Sequence, residues 1–283
     1  GIRLNYDDKI VLWRNTIQLF HQHNRPKFIG PFKVAKMNYL VECLLMTRNG
    51  ENKTPDIVAS GSSGWLILEI TTQPGSKEPK LRSYLSIDPR YLAQQCLIYH
   101  DAQPDVISSR LSFVDDGPYC QLMLRDRLEV IKAENIQNQS LRDELIKSQG
   151  EDLRRLPTIA ITLLPEMRPQ EIRTGLIDII MHLFKPGSEG KRLIDIVDEG
   201  LERISGTVSV PAKSRLKDSA KREMDGLLKG ALKGYLFYDE NEGVYKATDK
   251  FRPHPKTMER IALALKEWAG IGPQKTLDSW TTP

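Results

Sequence analysis

The sequence predicts an α/β protein in which a mixed sheet flanked by helices is followed by a mainly helical region. Within residues 54–71, two runs rich in Ile, Val, Leu and Trp flank the link Gly61-Ser62-Ser63-Gly64, a pattern typical of a β-hairpin. Helical and strand patterns follow one another over the first half of the chain. From Pro165 onward, helical patterns dominate. We therefore expect two domains, 1–164 and 165–283.

The elements of the first domain follow from hydrophobic periodicity and from helix caps. Asp7 or Asp8 can cap a first helix, because its side-chain oxygen can accept a hydrogen bond from a free backbone N–H group. An apolar face over residues 34–47 predicts a second helix, which carries Glu42. The predicted elements are helices at 7–23, 34–47, 77–87 and 89–99, a short helix from Ser140, the hairpin, and strands at 106–114, 119–124 and 158–164.

The second domain has the element order of a winged helix-turn-helix. Three helical patterns come first, two strand patterns follow around a polar turn at 239–243, and a closing helix comes last. Three helices followed by a two-stranded hairpin is the order expected for this DNA-binding motif. The predicted helices cover 169–184, 191–204, 213–233 and 256–270, and the predicted strands cover 235–238 and 244–248.

Composition and cysteine content limit the class of protein. Hydrophobic residues make up 40% of the 283 residues and charged residues 28%, which is the balance of a soluble globular protein. No apolar run approaches the ~20 residues of a membrane helix, and no secretory signal is visible. The three cysteines include no Cys-x-x-Cys pair, which argues against a disulfide framework and a zinc ribbon. We therefore expect a cytoplasmic protein that does not bind membranes.

The hairpin brings two acidic residues together. If Ser60 faces Trp65, then Asp56 lies directly opposite Glu69 on the same face. Opposed Cβ atoms are about 5 Å apart, so two bare carboxylates would repel each other. A hard divalent cation such as Mg²⁺ removes that repulsion. The hairpin is therefore predicted to form half of a metal site. The alternatives are that Glu69 is solvated or that the strand register is shifted.

These residues resemble the core of the PD-(D/E)xK nuclease superfamily, which includes many restriction enzymes and RecB-like nucleases. Pro55-Asp56, the hairpin and Glu69 occur in the order of that pattern, and the match covers about a quarter of the chain, residues 34–99. The resemblance implies a restriction-endonuclease-like fold and Mg²⁺ or Mn²⁺ as the cofactor. It also implies Asp56, Glu69 and the Ile70 carbonyl as metal ligands.

The resemblance extends to residues on both sides of the hairpin. An acidic residue on the preceding helix joins the site in this superfamily, and Glu42 matches that role. RecB-like members carry a Gln and a Tyr four residues apart on the next helix, and Gln95 and Tyr99 match that spacing. Another Pro-Asp pair, Pro104-Asp105, is followed by no suitable hairpin with a partner acid.

One position departs from the superfamily pattern. A Lys is expected two residues after Glu69, where it would help to orient the attacking water and stabilise the phosphorane charge. This chain has Thr71 instead. Lys80, or alternatively Lys77, is expected to reach back from the next helix. If neither does, the site is inactive or binds metal without cleaving. The candidate catalytic residues are Glu42, Asp56, Glu69, Lys80 and Gln95.

A second constellation lies on the helix predicted at 213–233. Residues 211–260 contain twelve Lys and Arg against eight Asp and Glu, a surplus equal to the net charge of +4 of the whole chain. Lys residues spaced by four form one stripe beside an apolar stripe, which would let the helix lie against phosphates. The alternative is an ordinary solvated helix face. The candidate DNA-binding residues are Lys213, Arg215, Lys217, Lys221 and Arg222, with Lys246 on the wing.

Two functional hypotheses follow. The first is a metal-dependent DNA endonuclease that is targeted by a winged helix, an arrangement similar to that of TnsA-type transposase endonucleases. The second is a catalytically inactive, nuclease-like subunit that binds DNA or assists assembly, which the absence of a Lys at position 71 favours. RNA as the target is a weaker third alternative. Expected partners are DNA, other subunits of a nuclease, transposition or defence complex, and a second copy of the chain in a homodimer.

Overall fold

The computed structural model describes residues 5–157, 159–185 and 187–271. It confirms the expected α/β class, with a six-stranded mixed sheet flanked by helices. The chain divides into two compact units. Residues 1–159 with 206–209 form the first unit, and residues 160–205 with 210–283 form the second. The domain limits 1–164 and 165–283 stay a prediction.

The first unit is built on its sheet. Its strands are β1 (Gln22–Asn24), β2 (Lys27–Ile29), β3 (Asn38–Val41), β4 (Leu45–Met46), β5 (Asn52–Lys53), β6 (Ile57–Gly61), β7 (Gly64–Ile70), β8 (Asp105–Arg110), β9 (Cys120–Leu124) and β10 (Leu128–Ile131). Six of them form the central sheet in the order β10-β9-β8-β7-β6-β3. Strands β7, β8 and β9 run parallel, whereas β3, β6 and β10 run antiparallel to their neighbours. The carboxyl ends of the parallel strands therefore meet at one edge.

Helices cover the sheet of the first unit. They are α1 (Tyr6–Gln18), α2 (Pro31–Val34), α3 (Glu78–Ser83), α4 (Arg90–Gln94) and α5 (Gln139–Lys147), with 3-10 turns at Tyr84–Ser86, Ala133–Asn135 and Leu153–Arg155. Helix α1 contacts β7, β8 and β9. The N-cap of α1 is Asn5 and not the predicted Asp7 or Asp8. The Asn5 side-chain oxygen accepts a hydrogen bond from the Asp8 N–H. One core cluster joins Trp65 and Ile67 of β7 to Leu81 and Tyr84.

The predicted hairpin register is confirmed. Ser60 pairs with Trp65, as expected, and Ile57 pairs with Leu68, so the next position places Asp56 opposite Glu69. Both strands are buried almost throughout. A shift of one residue would turn the side chains of one strand to the opposite face, which would separate Glu69 from Asp56.

The predicted helix at 34–47 is wrong. Helix α2 ends at Val34, and the segment continues as strands β3 and β4. Lys36 and Glu42 have φ angles of 56° and 51°, a left-handed conformation that a right-handed helix cannot contain. The apolar residues fit a period of two as well as a helical period, and the structure uses the former. The alternating buried residues are Met37, Tyr39, Val41, Cys43 and Leu45.

The second unit is mainly helical. Its elements are α6 (Pro169–Leu183), α7 (Leu193–Leu201), α8 (Val210–Lys229), β11 (Leu236–Asp239), β12 (Val244–Ala247) and α9 (Pro255–Trp268). Helix α6 packs against α7, α8 and α9. Lys191, between α6 and α7, exchanges two backbone hydrogen bonds of 2.8 Å with Tyr245 of β12. The order is therefore helix, short bridge, two helices and hairpin.

The predicted strand at 158–164 is also wrong. Residues 159–164 form no strand, and Thr158 lies outside the described residues. The N–H groups of Thr162 and Leu163 donate to the Gly200 carbonyl at 2.8 and 3.0 Å, which satisfies a carbonyl near the end of α7. A Cβ at Gly175 would lie 2.3 Å from the Thr162 carbonyl oxygen. The segment is therefore held against two helices instead of entering a sheet.

Among the described residues, no helix combines the length and apolar character that crossing a membrane requires.

Candidate functional site

Three acidic residues occupy one row of the sheet. Val41 pairs with Ile57, and Ile57 pairs with Leu68. The next position along each strand therefore places Glu42, Asp56 and Glu69 beside one another. The Glu42 N–H donates to the Asp56 carbonyl at 2.9 Å, which continues the β3–β6 ladder by one residue.

Glu42 reaches this row from a strand, so its expected position on a preceding helix is wrong. It follows the last residue of β3 and has a φ of 51°, which is unusual for a residue with a side chain. The Ser209 hydroxyl donates to the Glu42 carbonyl at 2.6 Å, and the Ser209 N–H donates to the Val41 carbonyl at 3.0 Å. These bonds hold the backbone that presents Glu42.

Asp56 is held in an environment that disfavours its charge. Burial raises the pKa of the Asp56 carboxyl well above its usual value, and the negative charges of Glu69 and Glu42 raise it further. The Ile70 N–H donates to Asp56 Oδ2 at 2.7 Å and opposes this rise, as does the positive charge of Lys80. Repulsion between carboxylates in a partly desolvated site is the condition that a bound cation relieves.

Glu69 is held by two side chains from the next helical segment. Lys80 Nζ forms a short ion pair with Glu69 Oε1, and the Tyr84 hydroxyl donates to Glu69 Oε2 at 2.7 Å. The Glu69 side chain is 7% exposed, whereas that of Lys80 is 52% exposed. Lys80 therefore lies at the opening of the site, with its ammonium group on the carboxylate. Thr71, the residue that follows β7, carries no such charge.

The segment 73–77 fixes where α3 begins and therefore where Lys80 lies. A buried network underlies this segment. Arg110 donates to the carbonyls of Gln73 and Gly75 at 3.3 and 2.8 Å. Asp116 accepts from the Lys77 N–H at 2.7 Å and pairs with Arg110 at 2.7 Å, with both side chains at most 4% exposed. A fixed ion pair therefore supports the loop between β7 and α3.

The residues fit a two-carboxylate metal site better than a larger one. Within residues 5–157, 159–185 and 187–271, no group of three or more His, Cys, Asp and Glu is arranged to hold a metal ion. The expectation that Glu42 completes a set of metal ligands is therefore not supported. Mg²⁺ commonly uses one or two carboxylates together with water and phosphate oxygens. Asp56 and Glu69 match that mode. Thr71, two residues after Glu69, has a buried hydroxyl with no hydrogen-bond partner among the described residues.

The expected Gln–Tyr pair is not formed on one helix. Helix α4 ends at Gln94, and Cys96 has a φ of 59°, so Gln95 and Tyr99 do not share a helical face. Gln95 Nε2 donates to the Leu44 carbonyl at 3.3 Å, and the exposed Tyr99 hydroxyl binds Asp101. Among the described residues, neither Gln95 nor Tyr99 forms a hydrogen bond with Asp56 or Glu69.

Two other candidates have structural contacts. Lys77, the alternative to Lys80, places its ammonium group 3.1 Å from Gln73 Oε1 and not on Glu69. Asp105, of the other Pro-Asp pair, accepts from the N–H groups of Gln137 and Asn138 at 2.6 and 3.1 Å. The Asp105 carboxyl is therefore used to anchor the start of α5.

Several of the predicted DNA-binding cations are paired within the second unit. Lys213 Nζ lies 2.7 Å from Asp198 Oδ1 and 2.8 Å from Ser205 Oγ, so it links α7, the following turn and α8. Lys221 pairs with Asp225 at 3.0 Å. Because Lys213 is paired with Asp198 and bonded to Ser205, it is less available to a phosphate than the sequence suggests.

The remaining predicted cations differ in exposure. Lys246 pairs with Glu242 at 2.7 Å and also contacts Asp239. Arg215 and Arg222 are exposed on α8, and Lys217 is half-buried. Surface pairs of this kind contribute little stability and can open. The site roles of all six residues stay predictions.

The structure adds residues that the sequence did not point to, namely Tyr84, Arg110 and Asp116. Tyr84 follows Lys80 by four residues, so a helical pattern through 80–84 would have placed both on one face. No sequence pattern predicts the ion pair between Arg110 and Asp116, because it forms only when the loop after β8 turns back toward that strand.

Comparisons of the chain with protein-family models, with curated proteins and with solved structures give no match. The resemblance to PD-(D/E)xK nucleases therefore depends on the residues of this chain alone.

Proposed function

We propose that the protein is a divalent-metal-dependent deoxyribonuclease with a restriction-endonuclease-like first unit and a winged-helix second unit that binds DNA. The observation that carries this proposal is the meeting of Asp56 and Glu69 across the β6–β7 ribbon, with the Lys80 ammonium group on Glu69. Two carboxylates and a cation at the rim of a sheet match the needs of phosphodiester hydrolysis. Mg²⁺ or Mn²⁺ would be held by Asp56 and Glu69, with the Ile70 carbonyl as a further oxygen ligand.

Hydrolysis adds one water molecule across the ester. The water oxygen forms a bond to phosphorus and one P–O ester bond breaks, while the proton lost by the water balances the proton gained by the leaving oxygen. When bound, the metal ion would supply the charge that favours deprotonation of water and stabilises the phosphoryl oxygens. The Lys80 ammonium group would stabilise negative charge on the same oxygens. Tyr84 would hold Glu69 in the orientation that this requires, through its bond of 2.7 Å.

The second unit supports the DNA-binding part of the proposal through its element order. Lys191 forms an isolated antiparallel bridge to Tyr245 of the β11–β12 hairpin, and α7 and α8 lie between these two residues in sequence. This is the connection expected of a winged helix, in which α8 would be the helix presented to DNA. Its exposed Arg215 and Arg222, with Lys217, would contribute phosphate contacts.

A cleavage assay with labelled DNA tests the proposal. Asp56→Ala should abolish Mg²⁺-dependent cleavage. Lys80→Ala should lower kcat roughly 100-fold, as loss of a charged transition-state contact does. Lys77→Ala is the matched control and should leave cleavage unchanged, because that ammonium group does not contact Glu69.

DNA binding without metal is the second readout of the same experiment. Asp56→Ala should bind DNA as the wild type does, whereas Lys217→Glu with Arg222→Glu should weaken binding and reduce its salt dependence. Cleavage that persists in Asp56→Ala would remove the nuclease proposal. Unchanged DNA binding in the double variant would remove the proposed role of α8.

A second candidate is an inactive subunit in which the nuclease-like fold is a scaffold. Both Glu69 oxygens already have protein partners in Lys80 and Tyr84, which favours this reading. Calorimetric titration separates the two candidates. Mn²⁺ or Mg²⁺ binding that disappears in Glu69→Ala supports the enzyme, and absence of binding in the wild type supports the scaffold. Partner subunits and a homodimer belong to either proposal.

A further inference from the structure

The Thr71 side chain lies on the same face of the sheet as the carboxylate pair. Thr71 follows Glu69 by two residues, and its N–H continues the sheet ladder by donating to the Ser109 carbonyl at 2.9 Å. Because side chains alternate along a strand, the Thr71 side chain is on the face that carries Glu69. Thr71 is 6% exposed. Among the described residues, its Oγ1 has no hydrogen-bond partner.

Three neighbouring polar side chains on this face of the sheet are hydrogen-bonded, namely those of Ser108, Gln121 and Arg110. Ser108 Oγ donates to Asp116 Oδ2 at 3.2 Å, and Gln121 Nε2 donates to the same carboxylate at 3.1 Å. If the β7–β8 register is extended by one residue, Arg110 is the neighbour of Thr71. Its guanidinium group donates to Asp116 and to the carbonyls of Gln73 and Gly75. The Thr71 hydroxyl therefore differs from these three polar neighbours on its face of the sheet.

Packing alone does not account for a hydroxyl at this position. Valine has nearly the same shape and a similar preference for strands, and it would avoid burying an unbonded polar group. Burying a hydroxyl without a partner is unfavourable, and such groups in native proteins call for an explanation. A hydrogen-bonding ligand at the carboxylate pair supplies one.

We propose that the Thr71 hydroxyl binds the water molecule that attacks the phosphodiester, holding it next to Asp56 and Glu69. This inference rests on the proposed function and deepens it. A hydroxyl can accept one hydrogen bond from the water and leave an oxygen lone pair of the water free to point at phosphorus. The water oxygen bonds to phosphorus and the P–O ester bond breaks. The proton released by the water is balanced by the proton taken up by the leaving oxygen. The Lys80 ammonium group stabilises negative charge on the phosphoryl oxygens, and the Thr71 hydroxyl orients the attacking water.

Two substitutions at the same position test the role of the hydroxyl. Thr71→Val keeps the shape and removes the hydrogen bond, so kcat should fall about 10- to 100-fold with little change in KM. Thr71→Ser keeps the hydroxyl and should stay within about threefold of the wild type. Thr71→Val should melt no lower than the wild type, because no bond within the protein is lost.

Equal cleavage by Thr71→Val and the wild type would overturn the inference. A melting temperature that falls in Thr71→Val and recovers in Thr71→Ser would also overturn it, because the hydroxyl would then have a structural partner.

A crystal structure of the metal-free protein gives a readout that does not depend on cleavage. It should show an ordered water about 2.7–3.2 Å from Thr71 Oγ1 and close to the carboxylate pair, and Thr71→Val should lose it. The absence of that water from the wild-type crystal would overturn the inference. A wild type that holds the water but does not cleave DNA would refute the proposed function and leave the water site standing.

Discussion

Replacing Asp116 by Asn should destabilise the first unit strongly. The Asp116 and Arg110 side chains are 1% and 4% exposed, and their shortest contact is 2.7 Å. Asn keeps the size of the side chain but removes its charge, so the Arg110 guanidinium stays buried without a compensating carboxylate. Breaking a buried pair from one side costs about 3–5 kcal/mol. The Lys77 N–H, which donates to the same carboxylate at 2.7 Å, would also have a weaker acceptor.

Urea unfolding followed by tryptophan fluorescence measures this loss, because Trp13 and Trp65 are buried in the first unit. With a denaturant slope of about 2 kcal/mol per M, a loss of 3–5 kcal/mol lowers the midpoint by roughly 2 M. The matched control is Asp115→Asn. The neighbouring Asp115 side chain is 75% exposed and pairs with Lys132 at the surface at 3.3 Å, so its midpoint should not move. Equal midpoints for Asp116→Asn and the wild type would refute the reasoning.

The same pair predicts a pH dependence. Burial alone would raise the pKa of Asp116, but the hydrogen bonds from Arg110 and from the Lys77 N–H outweigh it, so the pKa is lowered. Because its pKa is lower in the folded protein than in the unfolded chain, Asp116 contributes to the free energy of unfolding at any pH above about 3.9, the pKa of Asp in an unfolded chain. That contribution is lost as the pH falls through the pKa of the folded protein. Asp116→Asn should therefore lose less stability than the wild type between pH 5 and the acid limit of folding, so the difference between the two proteins should narrow as the pH falls.

Three further substitutions test the packing and the electrostatics. Gly175→Ala would place a Cβ 2.3 Å from the Thr162 carbonyl oxygen and should cost about 1–3 kcal/mol, whereas Gly226→Ala, with nothing within 4 Å, should gain about 0.5–1 kcal/mol. Thermal melts should place the two variants on opposite sides of the wild type, and the reverse order would contradict the packing. Burial, and then the charge of Glu69, raise the pKa of Asp56 in the folded protein. The free energy of unfolding should therefore fall as the pH rises from the pKa that Asp56 has in the unfolded chain through its pKa in the folded protein. The metal-free Asp56→Asn variant should therefore melt roughly 2–4 °C higher than the wild type at pH 8, a gap that closes toward pH 4. A gap that does not change with pH would contradict this.

Local features of the sequence predicted part of the fold and of the candidate site. The hairpin was predictable because two short runs joined by a Gly-rich link of four residues allow few registers. The facing of Asp56 and Glu69 follows directly from that register. The helix order of the second unit was predictable for a similar reason, since amphipathic periodicity is a property of each segment by itself.

Two sequence predictions were wrong where a pattern suited two structures. Residues 34–47 are apolar at a helical spacing and also at a spacing of two, and only pairing of β3 with β6 decides between them. That pairing places Glu42 in the row of acids by a route different from the one predicted. Residues 159–164 have the β-branched composition of a strand, but their N–H groups find a partner at Gly200 and not in a sheet.

The sequence by itself determined the acidic pair, because both residues belong to one ribbon whose geometry is local. The tertiary structure alone decided which cation and which hydroxyl reach Glu69. Lys77 is closer in sequence to that carboxylate than Lys80 is, yet the path of the loop held by Arg110 and Asp116 brings only Lys80 onto it. A contact of this kind depends on three separate segments folding together, and such long-range packing leaves no periodic trace in the order of residues.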